Sequence, residues 1–198
     1  MINLSMDYLK AMLVCVPTHE VRYYLCGINF VGVKNKVSAY ATDGHRISKW
    51  LITEEYDGDD FNIIIKKDAI KAIISSKDNH AELEPTTGAV TTSFGSITGL
   101  IDGKYPDVDR VLNKETVIDK DGACYIDSKY ISDTIKIANI ICGKGSRDKI
   151  KQYNSSPDST VVFTFHNVDD FIHGIMPLRG SWDSDNTKAV VSKMLDKG

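Results

Sequence analysis

The sequence predicts an α+β protein assembled from one small unit, a strand, a helix and three further strands, used three times in 198 residues. Three observations carry that expectation. Three segments share a short apolar strand followed by an amphipathic helix, and corresponding apolar positions in them stand 61 residues apart. Each helix is then followed by three strand-like runs with turn residues between them. Composition agrees: 42% hydrophobic and 26% charged residues is ordinary globular usage, enough for one large domain or two small ones.

The units open with INLSMDYLKAMLVCV (Ile2–Val16), NIIIKKDAIKAIISS (Asn62–Ser76) and ACYIDSKYISDTIKIANII (Ala123–Ile141). Leu4, Ile65 and Ile126 hold one equivalent place; Leu9, Ile70 and Ile131 hold a second, and Leu13, Ile74 and Ile135 a third. Residues four apart share a helix stripe, so each apolar face stands in the same phase relative to its leading strand. After the first helix, VRYYLCGINFVG, VSAYATDG and HRISKWLI read as strands, parted by Lys34-Asn35-Lys36 and by Asp43-Gly44, a strong hairpin signal. AELEP, AVTTSF and SITGLI follow the second helix; DKIKQY, TVVFTF and DFIHGIMPL follow the third. Alternation such as Val161, Phe163, Phe165 predicts sheets with one face covered by helices. Residues 103–121 read as an extended connector between the second and third units.

Several function classes find no support. No apolar run approaches the roughly 18 residues that span a bilayer, and no signal-peptide pattern opens the chain, so a cytoplasmic protein without a membrane partner is expected. Cys15, Cys26, Cys124 and Cys142 are scattered, without CxxC or zinc-spaced histidines, and read as small hydrophobes in a reducing compartment. Asp59-Asp60 and Asp169-Asp170 fall at predicted turns, where adjacent acids stay hydrated; no metal or cofactor is expected. His45, beside the Asp-Gly turn, has no recurring triad partner and reads as structural or pocket-lining, so no catalytic residue is assigned.

The net charge of −3 argues against nucleic-acid binding by the whole surface but not by one face. Residues 66–77 and 127–151 each carry +3, which leaves −9 for everything outside these stretches and the neutral first helix. Such a helix layer suits phosphate contact without base readout, through Lys10, Lys66, Lys67, Lys71 and Lys77, and through Lys129, Lys136, Lys144, Arg147 and Lys149. Ordinary solvated helix faces would show the same lysines, and charge alone does not separate the two.

Four segments point to a family. Val21-Arg22-Tyr23-Tyr24-Leu25-Cys26-Gly27, Ala41-Thr42-Asp43-Gly44-His45-Arg46-Ile47, Gly103-Lys104-Tyr105-Pro106-Asp107 with Arg110-Val111-Leu112, and Ile175-Met176-Pro177-Leu178-Arg179 resemble, in the family's order, signature stretches of the bacterial sliding clamp, the DNA polymerase III beta subunit. The resemblance covers Met1 to Arg179. It implies the DNA clamp fold, in which each domain is two strand–helix–three-strand units and six domains close a ring around duplex DNA, helices inside and sheets outside. It also implies a non-enzymatic processivity factor whose partners are non-specific double-stranded DNA, a DNA polymerase, other clamp-binding proteins and a clamp loader. Residues 1–112 resemble the family's whole middle domain, and 113–179 only the second half of its last domain. The tail 180–198 has no counterpart and reads as a linker with Trp182 and a short helix that packs on the body or covers the partner groove.

Carried over residue by residue, the groove for partner peptides would have one wall of Arg22, Tyr24, Leu25, Thr42, Gly44, His45, Arg46 and Ile47. Pro106, Arg110 and Val111 would form its floor, and Met176, Pro177, Leu178 and Arg179 its opposite wall. Apolar members can accept leucine or phenylalanine anchors, while the arginines can hydrogen-bond the peptide. Gly174 stands where the family has an apolar β-branched residue, which should flatten one side. Two readings stay open: a working clamp, its small size suiting a phage or other mobile element, and an adaptor or decoy that keeps the groove without encircling DNA. Three units per chain lead to an expected homotetramer, since four copies supply the twelve units of the family's ring.

Overall fold

The computed structural model describes residues 1–112, 124–143, 150–153 and 159–178. The first unit comprises β1 (Ile2–Ser5), α1 (Met6–Leu13), β2 (Gly27–Val33), β3 (Lys36–Thr42) and β4 (Arg46–Thr53). The second comprises β5 (Phe61–Lys66), α2 (Lys67–Ile74), β6 (His80–Glu84), β7 (Ala89–Thr92) and β8 (Gly95–Ile97), followed by β9 (Leu100–Ile101). The third comprises α3 (Ser128–Ile141), β10 (Ile150–Tyr153), β11 (Val161–Phe165) and β12 (Val168–Ile175).

The 61-residue spacing is structural: the helices begin at Met6, Lys67 and Ser128. Local chemistry starts two of them. The Ser5 hydroxyl accepts from the Tyr8 N–H, and the Asp127 carboxylate accepts from the Lys129 N–H at 2.8 Å, each satisfying an otherwise orphaned first-turn donor. Lys66 provides no side-chain cap, so α2 relies on its buried face, which includes Ile70 and Ile73.

Strand pairing interlocks the first two units. Each sends its leading strand into the other's sheet: β1 pairs with β6, Leu4 opposite Ala81, and β5 pairs with β2, Ile65 opposite Ile28. Among the described residues the strands form two antiparallel sheets, β1-β6-β7-β8 and β10-β11-β12-β4-β3-β2-β5-β9. The third unit therefore joins the first edge to edge, through β12 and β4. The helices form a layer in which α1 packs against α2 on one side and α3 on the other. One apolar cluster runs between helices and sheets, with Leu4, Leu9, Met12, Phe30, Ile65, Ile70, Leu83 and Phe171 fully enclosed.

Four expectations need correction. Cys124–Asp127, equivalent to β1 and β5, forms no strand; the Tyr125 carbonyl accepts instead from the Leu178 N–H at 2.8 Å. SITGLI divides into β8 and β9, which belong to different sheets, with the break at Thr98-Gly99. VRYYLCG begins with a single 3-10 turn, Tyr23–Leu25, in which the Leu25 N–H bonds the Arg22 carbonyl at 2.8 Å. Asp169 and Asp170 lie within β12 rather than in a turn, and Asp170 accepts from the Tyr8 hydroxyl at 2.8 Å.

Candidate functional site

The β4–β12 seam builds two different surfaces, because side chains alternate across a strand. Gly174 stands opposite Ile47 and His173 opposite Ser48. Arg46 and Ser48 face the helices, while Ile47 faces away from them into a second apolar cluster.

On the helix side the seam is polar and closed. The Ser48 hydroxyl lies 3.1 Å from both His173 Nδ1 and Cys15 Sγ, all three buried. Burial pushes the Cys15 thiol up to about 12 and, with the Arg46 guanidinium, holds His173 down to about 3. Both stay neutral at ordinary pH, so this trio joins the units without forming a reactive thiolate–imidazolium pair. Beside it, Arg46 bonds Asp43 through Nε (3.0 Å) and Nη2 (2.7 Å) and Asp133 of α3 through Nη1, and its guanidinium lies 4.8 Å from the Tyr130 ring. Burial works against ionisation of Asp43, but bonds from the Arg46 side chain and from the His45 and Arg46 N–H groups prevail and hold it below the usual carboxylate range.

On the outer face Leu25, Ile47, Ile64, Tyr105 and Val108 are buried together, flanked by Tyr24, Leu112 and Met176. Val111 and Leu178 lie at its rim, 39% and 45% exposed. The connector is pinned to the first unit at three points. Tyr105 accepts from the Thr42 N–H at 3.0 Å, Asp109 accepts from the Tyr40 hydroxyl at 2.9 Å, and Lys49 pairs with Asp109 at 2.6 Å. Burial drives the Tyr105 phenol above its usual range and the Tyr40 phenol up to about 12, so both are fixed hydrogen-bonding posts. The third unit is tied in by the Met176 N–H, which bonds the His45 carbonyl at 2.8 Å.

The expected groove residues divide accordingly. Leu25, Ile47 and Met176 lie in or against this apolar cluster, with Tyr24 beside them. Thr42 is buried with its N–H committed to Tyr105, and Pro106 and Arg110 are exposed. Gly44, at φ +90°, lets the Arg22 guanidinium approach; an added Cβ would lie 3.0 Å from it. Arg22 is exposed, although its Nε bonds Glu20 and its Nη2 the Asp43 carbonyl. His45 is exposed and stacks on Tyr130, with ring centroids 6.2 Å apart. Arg46 is spent on the seam and offers no free fork to a peptide. Pro177 is half-buried, and Arg179 lies outside the described residues, as do the 180–198 tail and Lys144, Arg147 and Lys149.

Sequence reasoning placed Tyr105 and Leu112 in a signature segment but not in the groove, and passed over Val108 and Thr160. Tyr105 and Val108, three apart in the connector, are a legible one-sided signal. Leu112 and Thr160 are legible only in three dimensions: they fill the space at Gly174, where a Cβ would meet Thr160 Cγ2 at 2.9 Å and Leu112 Cδ2 at 3.2 Å.

The helix lysines are exposed except Lys67, whose ammonium bonds the Val16 carbonyl and the Thr18 hydroxyl and is held below the usual lysine range by burial and by Lys71. Lys10 and Lys71 occupy the same repeat position. Lys10, Lys71 and Lys136 each pair with the aspartate three residues earlier, Asp7, Asp68 and Asp133. Lys66 and Lys67 also border an open cleft of about 540 Å³ with His19, Tyr23 and Leu100. Among the described residues no group of acidic, histidine and cysteine side chains could hold a metal, and no helix is long and apolar enough to cross a membrane.

The family model for the central domain of the DNA polymerase III beta subunit matches residues 5–107, just over half of the chain. A beta sliding clamp of Streptococcus pneumoniae is 29% identical over 102 residues, 48% of this chain and 27% of that protein. One from Staphylococcus aureus is 26% identical over 160 residues, 76% of this chain and 41% of that one. The chain thus spans well under half of the curated relatives it matches. Among solved structures, a Pseudomonas aeruginosa DNA polymerase sliding clamp superposes with a TM-score of 0.68 at 17% identity, over 90% of this chain and 66% of that one. A Helicobacter pylori beta clamp bound to a DNA ligase peptide gives a TM-score of 0.71 at 14% identity, over 90% and 65%. With half of its length matched by the family's central domain and nine-tenths of it superposing on clamp structures, the chain belongs to the bacterial beta sliding clamp family and has its DNA clamp fold.

Proposed function

We propose that this chain is a DNA sliding clamp and polymerase processivity factor, without catalytic activity, whose copies close a ring around duplex DNA and hold partner peptides in the groove at the β4–β12 seam. Residues 1–112 act as a complete clamp domain and 113–179 as half of one, so four copies supply a full ring. The observation that carries the reading is the division of the seam. A helix layer that exposes Lys10, Lys71, Lys129 and Lys136 stands on one side of a continuous sheet, and an apolar, aromatic-rimmed cluster lies on the other. DNA and protein partners then have separate surfaces. The Lys–Asp pairs on the helices do not oppose this, because exposed pairs are worth about 0–1 kcal/mol and phosphates can compete for the lysines. The groove takes leucine or phenylalanine anchors of polymerase peptides, with the adaptable Met176 side chain conforming to each.

The test is retention on DNA. The protein should stay on nicked circular duplex through gel filtration, run off linear duplex, and lose retention steeply with salt. Reversing Lys10, Lys71 and Lys129 to Glu should shorten retention with the fold intact. Equal behaviour on circular and linear DNA would remove the ring and leave the adaptor reading.

A further inference from the structure

We infer that Gly174, Leu112 and Thr160 decide which apolar anchor the groove accepts: a connector side chain is drawn into a notch in the sheet and kept out of the pocket. The inference rests on the peptide-groove reading above and adds to it a choice between phenylalanine and leucine.

The notch is a missing side chain. Gly174 lies within β12, paired with Val162 on one side and Ile47 on the other. Its backbone does not demand glycine, since its φ is not positive. Space demands it. A Cβ at this position would lie 2.9 Å from Thr160 Cγ2, 3.2 Å from Leu112 Cδ2 and 3.8 Å from Ile47 Cβ. The first two distances are shorter than ordinary contact between carbons, so side chains from two other parts of the chain already fill the notch.

Leu112 reaches the notch because the end of the connector is held. The Val111 and Leu112 N–H groups both bond the Val108 carbonyl, at 3.0 and 3.2 Å, and Val108 is buried in the outer cluster. From the third unit, the Thr160 hydroxyl lies 3.3 Å from both the Val111 carbonyl oxygen and Met176 Sδ. It has one proton to donate, and the carbonyl is the stronger acceptor. The hydroxyl therefore ties the connector to the third unit and rests against the Met176 thioether. Thr160 is buried, so losing that bond leaves a polar group without compensation. Leu112 and Met176 are each half-buried against the cluster that holds Leu25 and Ile47, and the atoms they leave open line the groove.

Volume at position 174 and room in the pocket are thus inversely related. With glycine there, Leu112 sits back against the sheet and leaves width for an aromatic ring beside Met176. A larger residue at 174 and Leu112 cannot share the notch, because close-packed side chains do not overlap. Leu112 then moves off the sheet towards the groove and takes volume that a ring needs more than a leucine does.

Calorimetry with two otherwise identical polymerase-derived peptides, one with a Leu anchor and one with Phe, reads the choice. The wild-type chain should prefer the Phe peptide. Gly174→Ala should weaken the Phe peptide about 10-fold and the Leu peptide about 3-fold or less. Adding Leu112→Ala to Gly174→Ala returns the lost volume and should restore the preference, a non-additivity that a merely destabilised wall does not produce. Leu112→Ala alone, which introduces no clash, should raise the Phe-to-Leu ratio. Thr160→Val keeps the shape without the hydroxyl and should lower that ratio, while Thr160→Ser should preserve it. A wild-type preference for Leu, or a ratio unchanged by Gly174→Ala, Leu112→Ala and Thr160→Val, would overturn this inference and leave the groove standing. A wild-type chain that binds neither peptide would overturn the groove reading and this one with it.

Discussion

Units one and three begin alike and finish differently. Both place a capping side chain directly before the helix, Ser5 and Asp127, and both start that helix at the same point of the repeat. Yet Ile2–Ser5 is a strand and Cys124–Asp127 is not. Leu4 and Leu9 are sealed, while Ile131 is open to solvent. The difference shows which parts of the repeat are local. Caps and a periodic apolar stripe specify a helix within one segment. A leading strand exists only where another unit's edge supplies its hydrogen bonds.

The largest expected effect breaks the comparison at the seam that holds unit three to unit one. Asp133 pairs with Arg46 while both are buried, so Asp133→Ala leaves the Arg46 Nη1 donor unsatisfied, with Asp43 still holding Nε and Nη2, and should cost about 3 kcal/mol. Urea unfolding would measure it, and hydrogen exchange should place the loss in α3 and β10–β12 with β1 and β6 protected. A loss under about 1 kcal/mol would mean that the apolar contacts alone secure the third unit.

Next comes the outer face of the same seam. Met176→Asp introduces a carboxylate among Leu112, Ile47 and Leu25 and should weaken a leucine/phenylalanine peptide by roughly 2 kcal/mol or more, about 30-fold. Leu178→Asp, at the exposed rim, should have the smaller effect. Calorimetry with a polymerase-derived peptide separates the two; indifference to both would move the peptide site elsewhere.

Most of the fold was legible because it is repeated. A spacing of 61 residues, kept at three positions, marks the helices and predicts the burial of Leu9 and Ile70, but its equivalents in the third helix, Ile131 and Ile135, are exposed. What stayed illegible depends on tertiary pairing or on one missing atom group. Cys124–Asp127 bonds Leu178 rather than forming a strand, and SITGLI splits because its halves serve different sheets. At the candidate site, apolar Leu25, Ile47 and Met176 followed from the resemblance, but Arg46 was expected to face a peptide. Strand alternation puts it on the other side from Ile47, and Asp43 at i−3 was the available hint that it is already engaged. Gly174 was expected to flatten the pocket wall; Leu112 and Thr160, 62 and 14 residues away, occupy that space, which no local pattern encodes.

The smallest expected effect sharpens the comparison through pH. His173 of unit three is enclosed against Ser48 and Cys15 of unit one, and its Nε2 meets no hydrogen-bond partner among the described residues. Burial and the positive Arg46 depress its pKa to about 3, with Asp133 and Asp43 partly offsetting them. In the unfolded chain an ordinary histidine titrates near 6.5, so between those values the unfolded state binds more protons. Stability is therefore complete above about pH 6.5 and falls as pH drops through that window, by about 1.4 kcal/mol per unit, or about 2 kcal/mol at pH 5. Asp43 has its own depressed pKa, so its contribution is present above the ordinary carboxylate value and is lost only at lower pH. Units one and two carry no enclosed histidine, and a seam that loosens before their interlock should appear as early loss of protection in β12. His173→Asn should lower stability at pH 7.5 yet flatten the slope between pH 6.5 and 5. An unchanged slope would mean that another group, not this imidazole, sets the acid limit of the third unit.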